Sequence, residues 1–219
     1  MSSDRIRITL VDDHQVVLES FRSILEADSS FEVLGTAATA EAGRALVSRT
    51  RPDVAVFDLE LPGLHPYDVI PQLHSAGCPS KLVMLTAHFS VVLVHQAIQL
   101  GVCGYIMKHE SADFVRDAFR AIAGGACVFS PSVEEHIVFN GKTQTYEVCS
   151  SSPILSLSML QLTILRHLAA GRTVKEIGGV LGRSEKSIDS HKYRIMHRLG
   201  VHDRVELCRY AIREGISVL

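Results

Sequence analysis

The sequence predicts an α/β protein in two parts: a doubly wound, parallel five-stranded sheet over residues 1–125 and a small all-α unit over residues 154–219. Three observations carry this expectation. Short apolar or β-branched runs at 6–11, 31–37, 53–58, 81–86 and 103–107 alternate with longer stretches of helical periodicity. The first, third, fourth and fifth runs each close on a polar or charged residue where a buried strand would end. Beyond residue 154 the strand pattern gives way to repeated helix start signals.

Taken in order, the first run ends in Val11-Asp12-Asp13, and the helix after it repeats apolar residues at Val17, Phe21, Ile24 and Leu25. The later runs end in Phe57-Asp58, Leu85-Thr86 and Met107-Lys108. Ser111 stands as N-cap of a helix that turns Phe114, Ala118 and Ile122 inward, and Gly124 with Gly125 closes the unit. Right-handed crossovers then place helices on both faces of the sheet. Residues 126–153 lose periodicity and read as a linker, with one possible short helix at 132–139 before Asn140-Gly141 and a run of three serines. In the tail, Ser158 with Gln161, Thr173 with Glu176 and Asp203 with Glu206 have capping-box spacing, and Ser184 supplies a simpler cap. Gly178 and Gly179 inside a tail helix cost about 1 kcal/mol each against alanine, which suggests close approach or local looseness.

Charge divides the same way. Residues 1–125 hold 10 basic and 15 acidic side chains, residues 126–155 hold 1 and 3, and residues 156–219 hold 11 and 6. An acidic front and a basic tail point the tail toward nucleic acid, although +5 alone is ordinary for a small solvated domain. The five cysteines are odd in number and include no C-x-x-C pair, so neither a zinc site nor a disulfide framework is indicated. No signal-peptide pattern opens the chain and no run of about 18 apolar residues occurs, so a cytoplasmic protein without a membrane partner is expected.

The strand-end residues carry the chemistry. In an open parallel sheet the C-terminal strand ends gather in one crevice, which would bring Asp12, Asp13, Asp58, Thr86 and Lys108 together. Taken singly, each has an ordinary explanation, such as a helix cap or a surface charge. Their joint placement favours a pocket. Asp58, central in the sheet, is the candidate nucleophile toward phosphorus, while Asp12 and Asp13 suit a hard divalent cation such as Mg2+. Lys108 would pair with a phosphate oxygen, and the Thr86 hydroxyl could meet the same group.

Over about residues 5–125 the chain resembles the receiver domain of two-component response regulators, a flavodoxin-like fold. The resemblance rests on Val11-Asp12-Asp13-His14, Asp58-Leu59-Glu60-Leu61-Pro62-Gly63, Thr86-Ala87 and Gly104-Tyr105-Ile106-Met107-Lys108. It implies that a sensor histidine kinase phosphorylates Asp58, that the Glu60 backbone carbonyl joins Asp12, Asp13 and Asp58 around Mg2+, and that Tyr105 moves as a switch with Thr86. Pro66 stands where glycine is usual, and His109 where proline often follows the lysine.

Residues 173–199 have helix-turn-helix spacing, with a short turn at Gly182 and Arg183. On the second helix Ile188, Ile195 and Leu199 face inward, leaving Lys186, Asp189, Ser190, Lys192, Tyr193, Arg194, His197 and Arg198 as candidate DNA contacts. The tail resembles the LuxR-type (NarL/FixJ) DNA-binding domain through Leu157-Ser158, Ala169-Ala170-Gly171, Lys175-Glu176-Ile177, Ser187-Ile188, His191 and Arg198-Leu199-Gly200-Val201. That resemblance implies double-stranded DNA as partner and a homodimer in the active state. Asp189 departs from it, standing where a DNA-contacting lysine is frequent. Together the two resemblances imply a phosphorylation-controlled transcription regulator and not an enzyme. Two alternatives are a regulator whose control is independent of phosphorylation and an α/β phosphohydrolase using Asp58, with Glu60 as general acid.

Overall fold

A computed structural model describes residues 5–216. The chain divides into two contact units, one running to His88 and resuming at Ala97–Glu135, the other containing Phe89–Gln96 and the chain from His136 onward.

The first unit is built on β1 (Ile6–Val11), β2 (Phe31–Ala37), β3 (Val54–Phe57), β4 (Lys81–Thr86), β5 (Gly104–Met107) and β6 (Val128–Phe129). These form one parallel sheet in the order β2-β1-β3-β4-β5-β6. Every residue of β3 and β5 is buried, as expected of central strands covered on both faces. The alternation of the strands decides which helix each side chain meets. Ile8, Leu10, Val54, Val56, Val83, Leu85 and Ile106 pack with Phe21 and Leu25 of α1 (Gln15–Glu26) and with Val115, Phe119 and Ile122 of α5 (Ala112–Ala123). Ser111 caps α5 by accepting from the Phe114 N–H at 3.2 Å.

Between these in the chain lie α2 (Ala40–Thr50) and α3 (Pro66–Ser75), and then α4 (Val91–Gln99), most of which falls in the second unit. Gly43 lets α2 press against the strand ends beneath the pocket. A β-carbon there would sit 2.7 Å from Val11 Cγ2 and 2.8 Å from Phe57 Cε1, closer than side chains tolerate. Pro66 occupies the start of α3, where a missing N–H does no harm, so this departure from the usual glycine is absorbed locally.

The region expected to be a linker is more structured than its periodicity suggests. β6 is a sixth strand, where five were expected, and two residues are too few to leave a periodic signal. The helix expected at 132–139 is only α6 (Pro131–Glu134), and the chain then forms an antiparallel hairpin of β7 (Ile137–Asn140) and β8 (Thr145–Val148). Asn140 begins its turn, its side chain accepting from the Lys142 N–H at 3.0 Å.

A short 3-10 turn, Pro153–Ser156, leads to four helices: α7 (Met159–Ala169), α8 (Val174–Leu181), α9 (Glu185–Leu199) and α10 (Arg204–Arg213). Ile154, Leu162, Leu165, Ile177, Ile188, Ile195 and Leu207 form their core, and Val92 belongs to the same cluster. Both Ser158/Gln161 and Thr173/Glu176 make complete capping boxes. The third is different. Asp203 accepts from the Glu206 N–H, but the Glu206 carboxylate takes the N–H of His202 rather than that of Asp203. Gly178 is needed for close approach, since a β-carbon there would meet the Arg183 carbonyl at 2.7 Å, whereas Gly179 faces open space.

Candidate functional site

Strand register assembles the pocket. Val11 pairs with Phe57, Phe57 with Met84, and Thr86 with Met107, so β1 and β3 end level, and β4 and β5 end level with each other two residues further on. Two backbone bonds hold the residues at those ends. The Asp58 N–H donates to the Val11 carbonyl, and the Lys108 N–H donates to the Thr86 carbonyl, each at 2.8 Å. Behind Lys108, the buried Ser130 hydroxyl accepts from the Met107 N–H at 2.9 Å, so the segment after β6 braces the lysine from below.

Lys108 and the three aspartates come together at these ends, while the Thr86 hydroxyl is engaged with the His88 backbone. Lys108 Nζ lies 2.6 Å from Asp12 Oδ2 and 2.8 Å from Asp58 Oδ2, and both carboxylates are buried. Ligand atoms of Asp12, Asp13, His14 and Asp58 all fall within 4.8 Å of one another. Asp58 Oδ1 is buried and has no hydrogen-bond donor among the described residues. An orphaned carboxylate oxygen facing two further carboxylates is a donor set for a hard cation, so the residues present fit Mg2+.

Electrostatics poise Asp58. Burial raises its pKa above the usual 3.8 and the Asp12 charge adds to this, while the Lys108 hydrogen bond and charge work against it. For Lys108, burial acts downward, but the hydrogen bonds to Asp12 and Asp58 outweigh it and the ammonium is held above its ordinary value. Burial, followed by the charges of Asp58 and Glu60, pushes the Tyr105 phenol upward, so it stays protonated and can donate.

Thr86 and Tyr105 meet at one residue that sequence reasoning passed over. The Thr86 hydroxyl accepts from the His88 N–H at 3.1 Å, while the Tyr105 hydroxyl donates to the His88 carbonyl at 3.2 Å. The His88 imidazole in turn lies 3.1 Å from Glu60 Oε1. His14 was also missed, although its place beside the acid pair could have flagged it. Its Nδ1 lies 2.9 Å from Asp13 Oδ1. Tyr105 is fully buried, so its ring is already turned inward.

On α9 the inward set is Ile188, Ile195 and Met196, with Leu199 half-buried. Lys186, Ser190, Tyr193, Arg194, His197 and Arg198 are exposed, and Asp189 and Lys192 are half-buried. Three of these side chains are already engaged. Lys192 Nζ pairs with Asp189 Oδ1 at 2.5 Å and sits 4.7 Å from the centre of the Tyr193 ring. Arg198 donates to the Ser156 carbonyl at 2.7 Å, which ties α9 to the 3-10 turn.

A model of the response regulator receiver domain matches residues 8–120. The chain belongs to the response regulators. A second model, of luxR-family bacterial regulatory proteins, matches residues 155–211, so this regulator joins a receiver to a LuxR-type DNA-binding domain. It is 30% identical over 219 residues to the uncharacterized transcriptional regulatory protein YxjL of Bacillus subtilis, covering 99% of each chain. It is 29% identical over 211 residues to the response regulator UvrY of Escherichia coli K12, covering 96% of this chain and 95% of that one. Among solved structures, a LuxR-family two-component response regulator from Aurantimonas matches 60% of this chain and 94% of its own, with TM-score 0.57 and 29% identity. RcsB of Salmonella typhimurium matches 98% and 100%, with TM-score 0.73 and 23% identity, a likeness of fold. Among the described residues no helix is long and apolar enough to cross a membrane.

Proposed function

We propose that this response regulator accepts a phosphoryl group on Asp58 from a sensor histidine kinase and thereby controls how its helical tail binds double-stranded DNA. The observation that carries the reading is the Asp58 carboxylate, buried, with one oxygen free of donors and the other against the Lys108 ammonium. In the transfer, an Asp58 oxygen attacks phosphorus and the phosphohistidine imidazole leaves. Asp12, Asp13, Asp58 and the Glu60 carbonyl would hold Mg2+, which offsets the negative charge gathered there. Lys108 exchanges part of its carboxylate pairing for a phosphoryl oxygen.

Thr86 then acts as the reporter. Its hydroxyl hydrogen is suited to a phosphoryl oxygen, and movement of Thr86 pulls on His88, to which the Tyr105 hydroxyl is bonded. In this way the charge on Asp58 biases the β4–β5 end of the receiver between two arrangements. The tail, acting in the cytoplasm as a homodimer on paired half-sites, reads the major groove with the exposed face of α9. Ser190, Lys192 and Tyr193 face base edges, Lys186, Arg194, His197 and Arg198 approach the phosphates, and Asp189 can accept from a cytosine amino group. The domain limits that serve this division of labour are 1–125, 126–153 and 154–219.

The test is incubation of the full chain with Mg2+ and acetyl phosphate, reading covalent phosphate and DNA-bound fraction together, for the native protein and Asp58→Asn. The native chain should label and change its DNA-bound fraction, and the variant should do neither. Equal labelling of both removes Asp58 as acceptor. Labelling that leaves DNA binding untouched transfers control to partner binding.

A further inference from the structure

At the opposite end of the sheet from Asp58, strand pairing brings two thiols together that the sequence keeps far apart. Cys103 immediately precedes β5 and Cys127 immediately precedes β6. The register of these strands sets Gly104 against Val128 and Tyr105 against Phe129, and the Val128 N–H donates to the Cys103 carbonyl at 2.9 Å. One step back on the same ladder, Cys103 stands opposite Cys127. Neighbouring strands run about 4.8 Å apart with facing side chains on the same side. That spacing lies within the Cα separation of roughly 4.4–6.8 Å that a disulfide spans.

Both residues are free thiols, Cys127 exposed and Cys103 half-buried. The Cys103 thiol is close enough to act on the Cys127 thiol, and its own Sγ lies 3.8 Å from the Gly101 carbonyl oxygen. We propose that Cys103 and Cys127 form a reversible two-electron redox site, closed to an intrachain disulfide by a small disulfide of the glutathione class. Access orders the steps. The exposed Cys127 loses its proton and attacks one sulfur of the oxidant, forming a mixed disulfide and releasing one glutathione thiolate. Cys103 then loses its proton, attacks the Cys127 sulfur and expels the second thiolate. Two electrons pass from the protein to the oxidant, and the two protons end on the released thiols.

The surroundings make this a slow site. Burial raises the Cys127 thiol, the neighbouring Cys103 raises it further, and the Lys81 ammonium opposes both. With its thiol raised, Cys127 exchanges with disulfides without serving as a standing nucleophile. Closure would tie the short edge strand β6 to β5, and with it the segment that carries Ser130 to the Met107 N–H.

The experiment equilibrates the reduced full chain with mixtures of oxidised and reduced glutathione, quenches in acid with an alkylating agent, and maps peptides by mass. The expected product is a Cys103–Cys127 cross-linked peptide, two hydrogens lighter than the dithiol, which dithiothreitol reopens. Hydrogen exchange at the Val128 and Ser130 amides should slow in the oxidised protein. Cys127→Ser, at an exposed position, should leave Cys103 without an intrachain partner and abolish the product. The proposal fails if glutathione stays on Cys127 of the native chain while Cys103 remains alkylable. It fails equally if neither thiol reacts, or if Cys103 pairs with Cys78 instead.

Discussion

Lysine–aspartate pairing in the two regions uses the same chemistry to different ends. In the receiver pocket, Lys108 is 16% exposed and its partners Asp12 and Asp58 are 4% and 1% exposed. On α9, Lys192 is 19% exposed but Asp189 is 43% exposed. Water screens the second pair and hardly reaches the first. The pocket therefore depends on Lys108 to balance its buried carboxylates, whereas the α9 pair is a local adjustment of a solvated face. A site for chemistry is built from the first kind of pair. A surface that must release one partner and take another is built from the second.

The sharpest way to break this contrast is Lys108→Ala. Removing the ammonium leaves two buried carboxylates uncompensated, and breaking a buried pair costs about 3 kcal/mol or more. Urea unfolding at neutral pH should register that loss, with a partial recovery on adding Mg2+. A loss below about 1 kcal/mol would place the pocket in the same class as the surface pair.

Asp58→Asn should act in the opposite direction. Because the Asp58 pKa is raised above 3.8, the folded state holds that proton more tightly than the unfolded chain. Its favourable contribution is complete below pH 3.8 and is lost as pH rises through the higher folded value. Unfolding midpoints compared between native and variant chains should show that decline only in the native protein. A parallel pair of profiles would refute the raised pKa.

The tail supplies a pair of neighbours with opposite signs. Gly178→Ala pushes a methyl group into the Arg183 carbonyl, a backbone atom that cannot swing aside, and should destabilise the helical unit by about 2 kcal/mol. Gly179→Ala meets nothing and should stabilise by up to about 1 kcal/mol through helix propensity. Thermal unfolding of the two variants distinguishes packing from propensity in one experiment. The smallest effect is expected from Asp189→Ala, which removes a screened pair worth about 0.5 kcal/mol. Its consequence should appear in DNA titrations, where a Lys192 freed for base edges strengthens specific binding with little change in salt slope.

Much of the site was legible because it lies where local pattern and topology agree. A strand that stops at a charge is visible in one dimension, and parallel topology gathers such stops at one edge. That reasoning reached Asp12, Asp58, Thr86 and Lys108. It did not reach His88, which joins Thr86 to Tyr105 through its backbone, because a backbone bond leaves no mark in residue type. Nor did it foresee that Arg198, read as a candidate DNA contact, would donate to the Ser156 carbonyl. The hairpin in residues 137–148 offered a signal in Asn140-Gly141, but its strands are only four residues each and were outweighed by the helical reading.

Sequence by itself determined the order of strands and helices, the caps at Ser111, Ser158 and Thr173, and the acidic and cationic residues at the strand ends. Each of these depends on spacing within a few residues. Tertiary structure decided what lies across a gap in the chain: the sixth strand, the strand register that presses Lys108 against two carboxylates, and the meeting of Cys103 with Cys127. A two-residue strand or a lone cysteine carries no period of its own. Only the hydrogen-bonded neighbour supplies the register that gives it a place.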